Sequence, residues 1–128
     1  MLRRIKAVIA TALAAAAMAA PVPASAVDTG SVTAGPCRAD VGTSYEEWYQ
    51  TVYVTGAFAP VGATHVWFEC GVVRYGETVA YVGSVTEDGN SPVGVVAGEA
   101  RVHAGPISVC YEATVLYSER YEYHDTCP

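Results

Sequence analysis

From Val27 onward the chain contains 18 valines and nine tyrosines, but only one leucine, one isoleucine and no methionine. Valine and tyrosine are enriched in β-strands, whereas leucine and methionine are among the better helix formers. Twelve glycines, all in this part of the chain, separate the apolar stretches. This composition predicts an all-β domain with essentially no helix.

The first 26 residues have a different composition, typical of an export signal. Arg3, Arg4 and Lys6 form a basic start, an apolar run of 14 residues covers 7–20, and a small-residue cleavage site lies at 24–26. A membrane-spanning helix needs about 20 apolar residues, so the run is too short for an anchor. We therefore predict cleavage after Ala26 and a secreted, extracellular domain with no membrane insertion after cleavage.

The predicted mature chain is strongly acidic. Residues 27–128 hold four arginines, no lysine and all 13 acidic residues, which gives a net charge of −9. Nucleic acids and anionic membranes attract basic proteins, so we expect neither as a partner. A length of 102 residues predicts one domain, and four cysteines in a short exported chain predict two disulfides.

The sequence carries no recognisable catalytic or metal-binding motif. It lacks the Gly-x-Ser-x-Gly nucleophile motif, and a mature chain without lysine excludes Schiff-base chemistry. The three histidines, His65, His103 and His124, are widely spaced and match no metal motif. We therefore predict a non-enzymatic protein that uses neither a cofactor nor a metal ion.

About seven short strands are predicted, at 45–54, 64–75, 78–86, 93–97, 100–103, 107–117 and 120–124. Turn signals at intervals of about 8 to 12 residues are typical of an antiparallel β-sandwich. In the strand 64–75 the residues alternating with Trp67 and Glu69 are apolar, which predicts that the face bearing Cys70 is buried. Residues 27–36 show no hydrophobic periodicity, which predicts a flexible leader or an edge segment. We expect residues 37–128 to form the single domain.

Clustered aromatic residues are the candidate binding residues. Tyr117, Tyr121 and Tyr123 lie close together near the C-terminus among acidic residues, and Trp48 and Tyr49 are adjacent in the first predicted strand. Tyrosine and tryptophan are enriched in binding surfaces, although cross-strand packing is an alternative use for them. These residues predict a secreted binding or interaction domain whose partner is an unknown extracellular protein or glycan.

Three segments resemble small exported β-sandwich proteins of actinobacteria. They are Cys-Gly-Val-Val-Arg-Tyr-Gly starting at Cys70, Pro-Val-Gly-Val-Val-Ala-Gly starting at Pro92, and Gly-Pro-Ile-Ser-Val-Cys ending at Cys110. The resemblance covers residues 64–127. It implies an immunoglobulin-like antiparallel sandwich, here of about seven strands, and it implies no activity.

Two pairings of the four cysteines stay open. An immunoglobulin-like arrangement implies a bridge across the core between Cys70 and Cys110, and Cys37 would then pair with Cys127. The alternative joins Cys37 to Cys70 and Cys110 to Cys127, because a hairpin turn at 118–119 sets Cys110 opposite Cys127. That hairpin would also set Glu122 and His124 against an apolar face, unless a bulge shifts the register.

The chain is also similar to the proteinaceous α-amylase inhibitors of streptomycetes, which are short, secreted, acidic all-β proteins with two disulfides. Those inhibitors present a Trp-Arg-Tyr triplet to the enzyme, whereas Trp48 and Tyr49 have no arginine between them. The resemblance implies an alternative function, a secreted inhibitor of an amylase or a protease. An exposed loop such as 56–62 would then contact the enzyme.

Overall fold

A computed structural model of the chain describes residues 25–46 and 48–128, so all but the last two residues of the predicted signal peptide lie outside it. The described residues form eight strands: β1 Gly30–Ala34, β2 Cys37–Glu46, β3 Tyr49–Phe58, β4 His65–Arg74, β5 Glu77–Asp88, β6 Gly94–His103, β7 Ile107–Leu116 and β8 Tyr121–Asp125. They contain no helix, and so none long and apolar enough to cross a membrane. For the described residues, the prediction of an all-β domain is confirmed.

The strands form two antiparallel sheets of four strands each. The first sheet has the order β1-β2-β3-β6, and the second has the order β5-β4-β7-β8. One apolar cluster lies between the two sheets and draws residues from both. The second sheet therefore has one face against this core and one outer face exposed to solvent.

The core consists mainly of valines at alternating strand positions, because successive side chains of a strand point to opposite faces. In β4 this alternation buries Val66, Phe68, Cys70 and Val72 completely, which confirms that the Cys70 face is the core face. From the first sheet, buried side chains of β2 and β3 join the same cluster. Valine suits these positions because its branched side chain packs well on a pleated, half-buried surface.

The structure has eight strands, one more than the predicted number of about seven. Strand β2 was not predicted because its sequence is rich in small and polar residues, yet Cys37, Ala39 and Val41 alternate inward and are buried. The predicted strand 45–54 crosses the turn between β2 and β3. The two predicted pieces 93–97 and 100–103 are one strand, β6, that runs through Gly98.

The stretch 27–36 contains an edge strand and is not simply a flexible leader. Strand β1 pairs antiparallel with β2 over its full length. Before it, Val27 exchanges two backbone hydrogen bonds of 2.8 Å with Ile107 at the start of β7. This segment therefore connects the edge of the first sheet to the second sheet.

One disulfide joins Cys37 of β2 to Cys70 of β4 and crosses the core from the first sheet to the second. Both cysteines are buried. Closing a chain loop of this length stabilises a fold by about 4 kcal/mol through the lower entropy of the unfolded chain. We call this bridge the core disulfide.

The other disulfide, which we call the terminal disulfide, joins Cys110 to Cys127. The pairing of Cys70 with Cys110 was therefore wrong. Strands β4 and β7 are neighbours in one sheet, where Cys110 lies opposite Gly71 and Cys70 lies opposite Tyr111. Because adjacent positions of a strand face opposite sides, the Cys70 side chain enters the core and the Cys110 side chain points outward.

The C-terminal hairpin has the register that the sequence suggested. This includes the placement of Glu122 and His124 against the apolar face of β7. Val115 faces Glu122 and Ala113 faces His124, with no bulge between β7 and β8. Glu122 and His124 are half-buried on the inner side of this edge strand. His124 meets the ring of Phe58 edge-on, with 5.9 Å between the ring centres, and its Nε2 lies 3.4 Å from Glu122.

Candidate binding surface

Three carboxylates form a row across the outer face of the second sheet. Glu69 of β4 lies directly opposite Glu112 of β7, and Glu112 lies directly opposite Asp125 of β8. Side chains that are directly opposite in an antiparallel pair have their Cβ atoms about 5 Å apart. We call these three residues the acidic row.

Two tyrosine hydroxyl groups donate hydrogen bonds to the acidic row. The hydroxyl of Tyr81 on β5 donates to Oε2 of Glu112 at 2.6 Å. The hydroxyl of Tyr123 on β8 lies 3.3 Å from Oε1 of Glu112 and 3.3 Å from Oδ2 of Asp125. The Glu112 carboxylate thus accepts from a phenol on each side, while about half of each tyrosine surface stays exposed.

Both phenols keep their protons to higher pH than usual. The hydrogen bond to Glu112, with smaller effects of burial and of the three carboxylates, raises the pKa of Tyr81 to about 12. Burial and then the charges of Asp125 and Glu112 raise the pKa of Tyr123 as well. The two hydroxyls are therefore stable hydrogen-bond donors to the row at any physiological pH.

The acidic row itself is electrostatically unfavourable. Burial, and then the charge of Glu112, raises the pKa of the Glu69 carboxyl. The four arginines of the described chain lie elsewhere. Arg38 lies beside Asp40, and Arg74 donates to the backbone carbonyls of residues 103 and 104. Arg101 lies over the ring of Tyr49, and Arg120 lies between Tyr117 and Glu122. Within the described residues, phenol hydroxyls and not cations face the row.

A tryptophan forms one border of this surface. Trp67 lies two residues before Glu69 on the same face of β4, and its indole N–H donates to Oγ of Ser84 on β5 at 2.8 Å. That bond holds the partly exposed indole on the same outer face as Glu69. We call the acidic row together with Trp67, Tyr81 and Tyr123 the acidic face.

The terminal disulfide lies next to the acidic face, and a glycine makes room for it. A Cβ atom on Gly71 would lie 2.6 Å from Sγ of Cys110 and 3.0 Å from Sγ of Cys127. Tyr81 is opposite Gly71 in β5. The outward position of Tyr81 also depends on a bulge in β5, where Gly83 has a φ of 69° and the register with β4 shifts.

The three C-terminal tyrosines predicted as a cluster do not share one surface. Tyr121 and Tyr123 alternate with inward residues of β8 and lie on its outer face, 62% and 50% exposed. Tyr117 follows β7 and packs on the inner side against a small cluster of Ala63, Val66 and Val115. The guanidinium of Arg120 covers its ring at 3.9 Å.

Trp48 and Tyr49 lie on a different surface from the acidic face. Trp48 is in the turn before β3 and is 75% exposed. Tyr49 stacks on His103 of β6 with 4.5 Å between the ring centres, and the guanidinium of Arg101 lies 4.7 Å from its ring centre. These residues belong to the first sheet and to the turn that precedes β3.

Four residues of the acidic face were not among the predicted site residues: Glu69, Glu112, Tyr81 and Trp67. Strand alternation did put Glu69 and Trp67 on the face away from the core. The hairpin that sets Cys110 opposite Cys127 also sets Glu112 opposite Asp125. The missing information was the pairing of β4 with β7, which brings together residues 43 positions apart.

Glu112, Asp125 and Cys127 place one potential ligand atom each within 4.8 Å of the others. The sulfur of Cys127 is bonded in the terminal disulfide, so it offers no thiolate. The group thus reduces to two carboxylates of the acidic row.

Comparison with known proteins adds no relative. No family model, no curated protein and no solved structure matches the chain.

Proposed function

We propose that the protein is a secreted, non-enzymatic binding domain whose acidic face binds a cationic segment of an extracellular protein. The observation that carries this proposal is the acidic row, in which three carboxylates lie in register on neighbouring strands. Like charges placed directly opposite each other destabilise a sheet. A bound cation would relieve that repulsion.

The chemistry of the face suits a lysine or arginine side chain. The carboxylates accept charge-assisted hydrogen bonds from an ammonium or guanidinium group. The exposed surfaces of Trp67, Tyr81 and Tyr123 offer aromatic rings over which a cation is attracted. The net charge of −9 over residues 27–128 adds a long-range attraction for a basic partner.

The test measures binding of the domain to paired peptides that differ only in charge. A short lysine-rich peptide is compared with the same peptide carrying acetyl-lysine, by biolayer interferometry at low ionic strength. We expect the domain to bind only the charged peptide. In the double variant Glu112→Gln, Asp125→Asn the affinity should fall about 5- to 30-fold, because two exposed charge pairs contribute roughly 1 to 2 kcal/mol.

The double variant leaves one amide oxygen as an acceptor at each of the two positions, so Tyr81 can still donate at position 112 and Tyr123 at position 125. The matched control is Glu99→Gln, Glu119→Gln, which removes the same charge from exposed positions on the first sheet and in the β7–β8 turn. Equal losses in both double variants would show a non-specific effect of net charge and would refute the proposal. Binding of neutral oligosaccharides in preference to the peptide would assign the face to a glycan.

We also propose an immunoglobulin-like topology. The order β2-β3-β6 opposite β5-β4-β7-β8 supports it, since it corresponds to strands A, B and E packed on C′, C, F and G of that fold. Strand β1 is then an addition beside strand A. An experimental structure superposed on immunoglobulin domains tests this proposal, and a different strand order would contradict it.

Export from the cell is part of the proposal. Two disulfides are consistent with an oxidising compartment. The test is N-terminal sequencing of protein collected from the culture medium of an expressing host. A mature chain starting at Val27 supports the predicted cleavage, and retention of the full chain in the cytoplasm would contradict it.

A second candidate function is the inhibition of an extracellular hydrolase. The loop between β3 and β4 supports it, because Val61 is 87% exposed there and the backbone N–H of Gly62 donates to Oγ of Ser91 at 3.0 Å. A firmly held loop with an exposed apolar tip suits insertion into an enzyme cleft. Arg101 lies over the ring of Tyr49, the residue that follows Trp48.

Titration against a panel of amylases and proteases tests this candidate. Inhibition that is lost in Val61→Asp but kept in the acidic-face double variant would support the loop. Inhibition lost in Trp48→Ala would instead support the Trp48 end of the molecule. The absence of inhibition at micromolar concentration would rule this candidate function out.

A further inference from the structure

Strand β8 is an edge strand of the second sheet, and its backbone has a defined free side. Tyr111 accepts from the N–H of Thr126, and the N–H of Tyr117 donates to Arg120. Odd-numbered residues of β7 therefore direct their backbone groups toward β8, because these directions alternate along an antiparallel strand. In β8 their hydrogen-bonded partners are the even-numbered residues.

The odd-numbered residues of β8 direct their backbone groups to the free side. These are Tyr121, Tyr123 and Asp125, whereas Glu122 and His124 pair with β7. A new antiparallel strand on this edge must therefore place odd-numbered residues of β8 in its hydrogen-bonded pairs. This requirement limits the possible registers of a partner strand.

We propose that two copies of the protein pair through β8, antiparallel and centred on Tyr123, to form one continuous eight-stranded sheet. In this register Tyr123 faces Tyr123 of the second copy, and Tyr121 faces Asp125. All of these positions are odd-numbered, so the backbone groups on the free side of both strands meet. The pairing gives six hydrogen bonds between the two strands and is symmetric about a twofold axis.

The side chains of β8 are complementary to themselves in this register. On the outer face the two Tyr123 rings lie side by side, and each Tyr121 hydroxyl faces an Asp125 carboxylate. On the inner face each Glu122 faces a His124. Edge strands often avoid self-pairing by carrying inward-pointing charged residues, but here the two inward residues are an acid and a base that face each other.

The size of the interface predicts a weak dimer. Two five-residue strands bury less surface than the roughly 1,200 Å² at the lower end of stable interfaces. The negative charge of each copy also opposes association, so added salt should strengthen the dimer. Dissociation constants from about 10 μM to about 1 mM fit such an interface.

Sedimentation velocity of the mature wild-type domain across this concentration range is the first test. We expect the weight-average sedimentation coefficient to rise from the monomer value toward the dimer value, and to rise further with added salt. A coefficient that stays at the monomer value at the highest concentration, with and without salt, would overturn the proposal. This measurement uses no variant, so failure to fold cannot obscure it.

Cysteine cross-linking tests the register. Directly opposite residues of a hydrogen-bonded pair have Cα atoms about 5.5 Å apart, within the range that a disulfide spans. Tyr123→Cys should therefore oxidise to a covalent dimer. Tyr121→Cys is the matched control, because the two copies of residue 121 would be offset by four residues, or about 13 Å along the strand.

A mixture of Tyr121→Cys with Asp125→Cys should cross-link as a mixed dimer, since these positions face each other in the proposed register. Peptide mapping of each product verifies that the core and terminal disulfides are intact. Equal cross-linking of Tyr121→Cys alone and Tyr123→Cys would overturn the register. Cross-linking of Tyr123→Cys and of the mixed pair, with none for Tyr121→Cys alone, would support it.

Discussion

Replacing Glu69 with glutamine should stabilise the protein, although the side chain lies in a well-formed sheet. Glu69 is directly opposite Glu112, so two acidic side chains face each other across the strand pair. A like-charged pair in this position destabilises a sheet by roughly 0.2 to 1 kcal/mol. Glutamine keeps the shape of the side chain and removes the repulsion together with the penalty for burying a charge.

We expect Glu69→Gln to raise the free energy of unfolding by about 0.5 to 1 kcal/mol at pH 7 and low ionic strength. For a domain of about 100 residues, this corresponds to a rise in melting temperature of roughly 2 to 8 °C. Added salt should reduce the difference between variant and wild type, since it screens half-exposed charges.

The pH dependence of this effect has a defined sign. The pKa of Glu69 is raised in the folded protein by burial and by Glu112, above its ordinary value of 4.5. Between 4.5 and the raised value the folded chain binds more protons than the unfolded chain, so wild-type stability falls as the pH rises through this window. The advantage of the variant should be complete at pH 7 and absent well below the ordinary value.

Thermal unfolding followed by circular dichroism measures the effect at neutral and at acidic pH. The control is Glu119→Gln, which removes the same charge from the exposed turn between β7 and β8. A melting temperature of Glu69→Gln at pH 7 that is equal to or below that of the wild type would refute the reasoning. So would an equal increase in the control.

Three further predictions concern the disulfides, the core and the tyrosines. Mild reductant should open the terminal disulfide before the core disulfide, because only the terminal one has a partly exposed cysteine. Alkylation and mass spectrometry detect which disulfide opens first, and the reverse order would contradict the structure. Gly56→Ala should lower the free energy of unfolding by about 1 to 3 kcal/mol in denaturant unfolding, because the added Cβ would lie 2.7 Å from a sulfur of the core disulfide. An unchanged denaturation midpoint would argue against this packing. In NMR titrations of ring-labelled tyrosine, Glu112→Gln should lower the pKa of Tyr81 from about 12 toward 10, and an unchanged pKa would assign the shift to another cause.

The fold class was predictable because it follows from local composition and alternation. The abundance of valine and tyrosine indicated strands, and the pattern around Cys70 indicated which face of β4 is buried. Strand β2 escaped prediction because Arg38, Asp40 and Gly42 weaken the apolar pattern, although Cys37, Ala39 and Val41 between them are buried. Its burial is imposed by the neighbouring strands and by the core disulfide, which joins positions 33 residues apart.

The disulfide pairing and the acidic face depend on register between distant strands. The hairpin of β7 and β8 is local, so its pairing of Glu112 with Asp125 could be counted from the turn. The pairing of β4 with β7 is not local, and it decides both that Glu69 joins the row and that Cys70 cannot reach Cys110. The outward position of Tyr81 depends in addition on a bulge at Gly83, which alternation alone does not predict.

The central claim is that the acidic face binds a cationic group, and a residue-resolved NMR titration with tetralysine tests it most directly. We expect chemical-shift changes to concentrate at Glu69, Glu112, Tyr123 and their neighbours on the second sheet. These changes should largely disappear in the Glu112→Gln, Asp125→Asn variant and persist in the Glu99→Gln, Glu119→Gln control. Shifts spread over the first sheet, or shifts of the same size in both double variants, would contradict the claim.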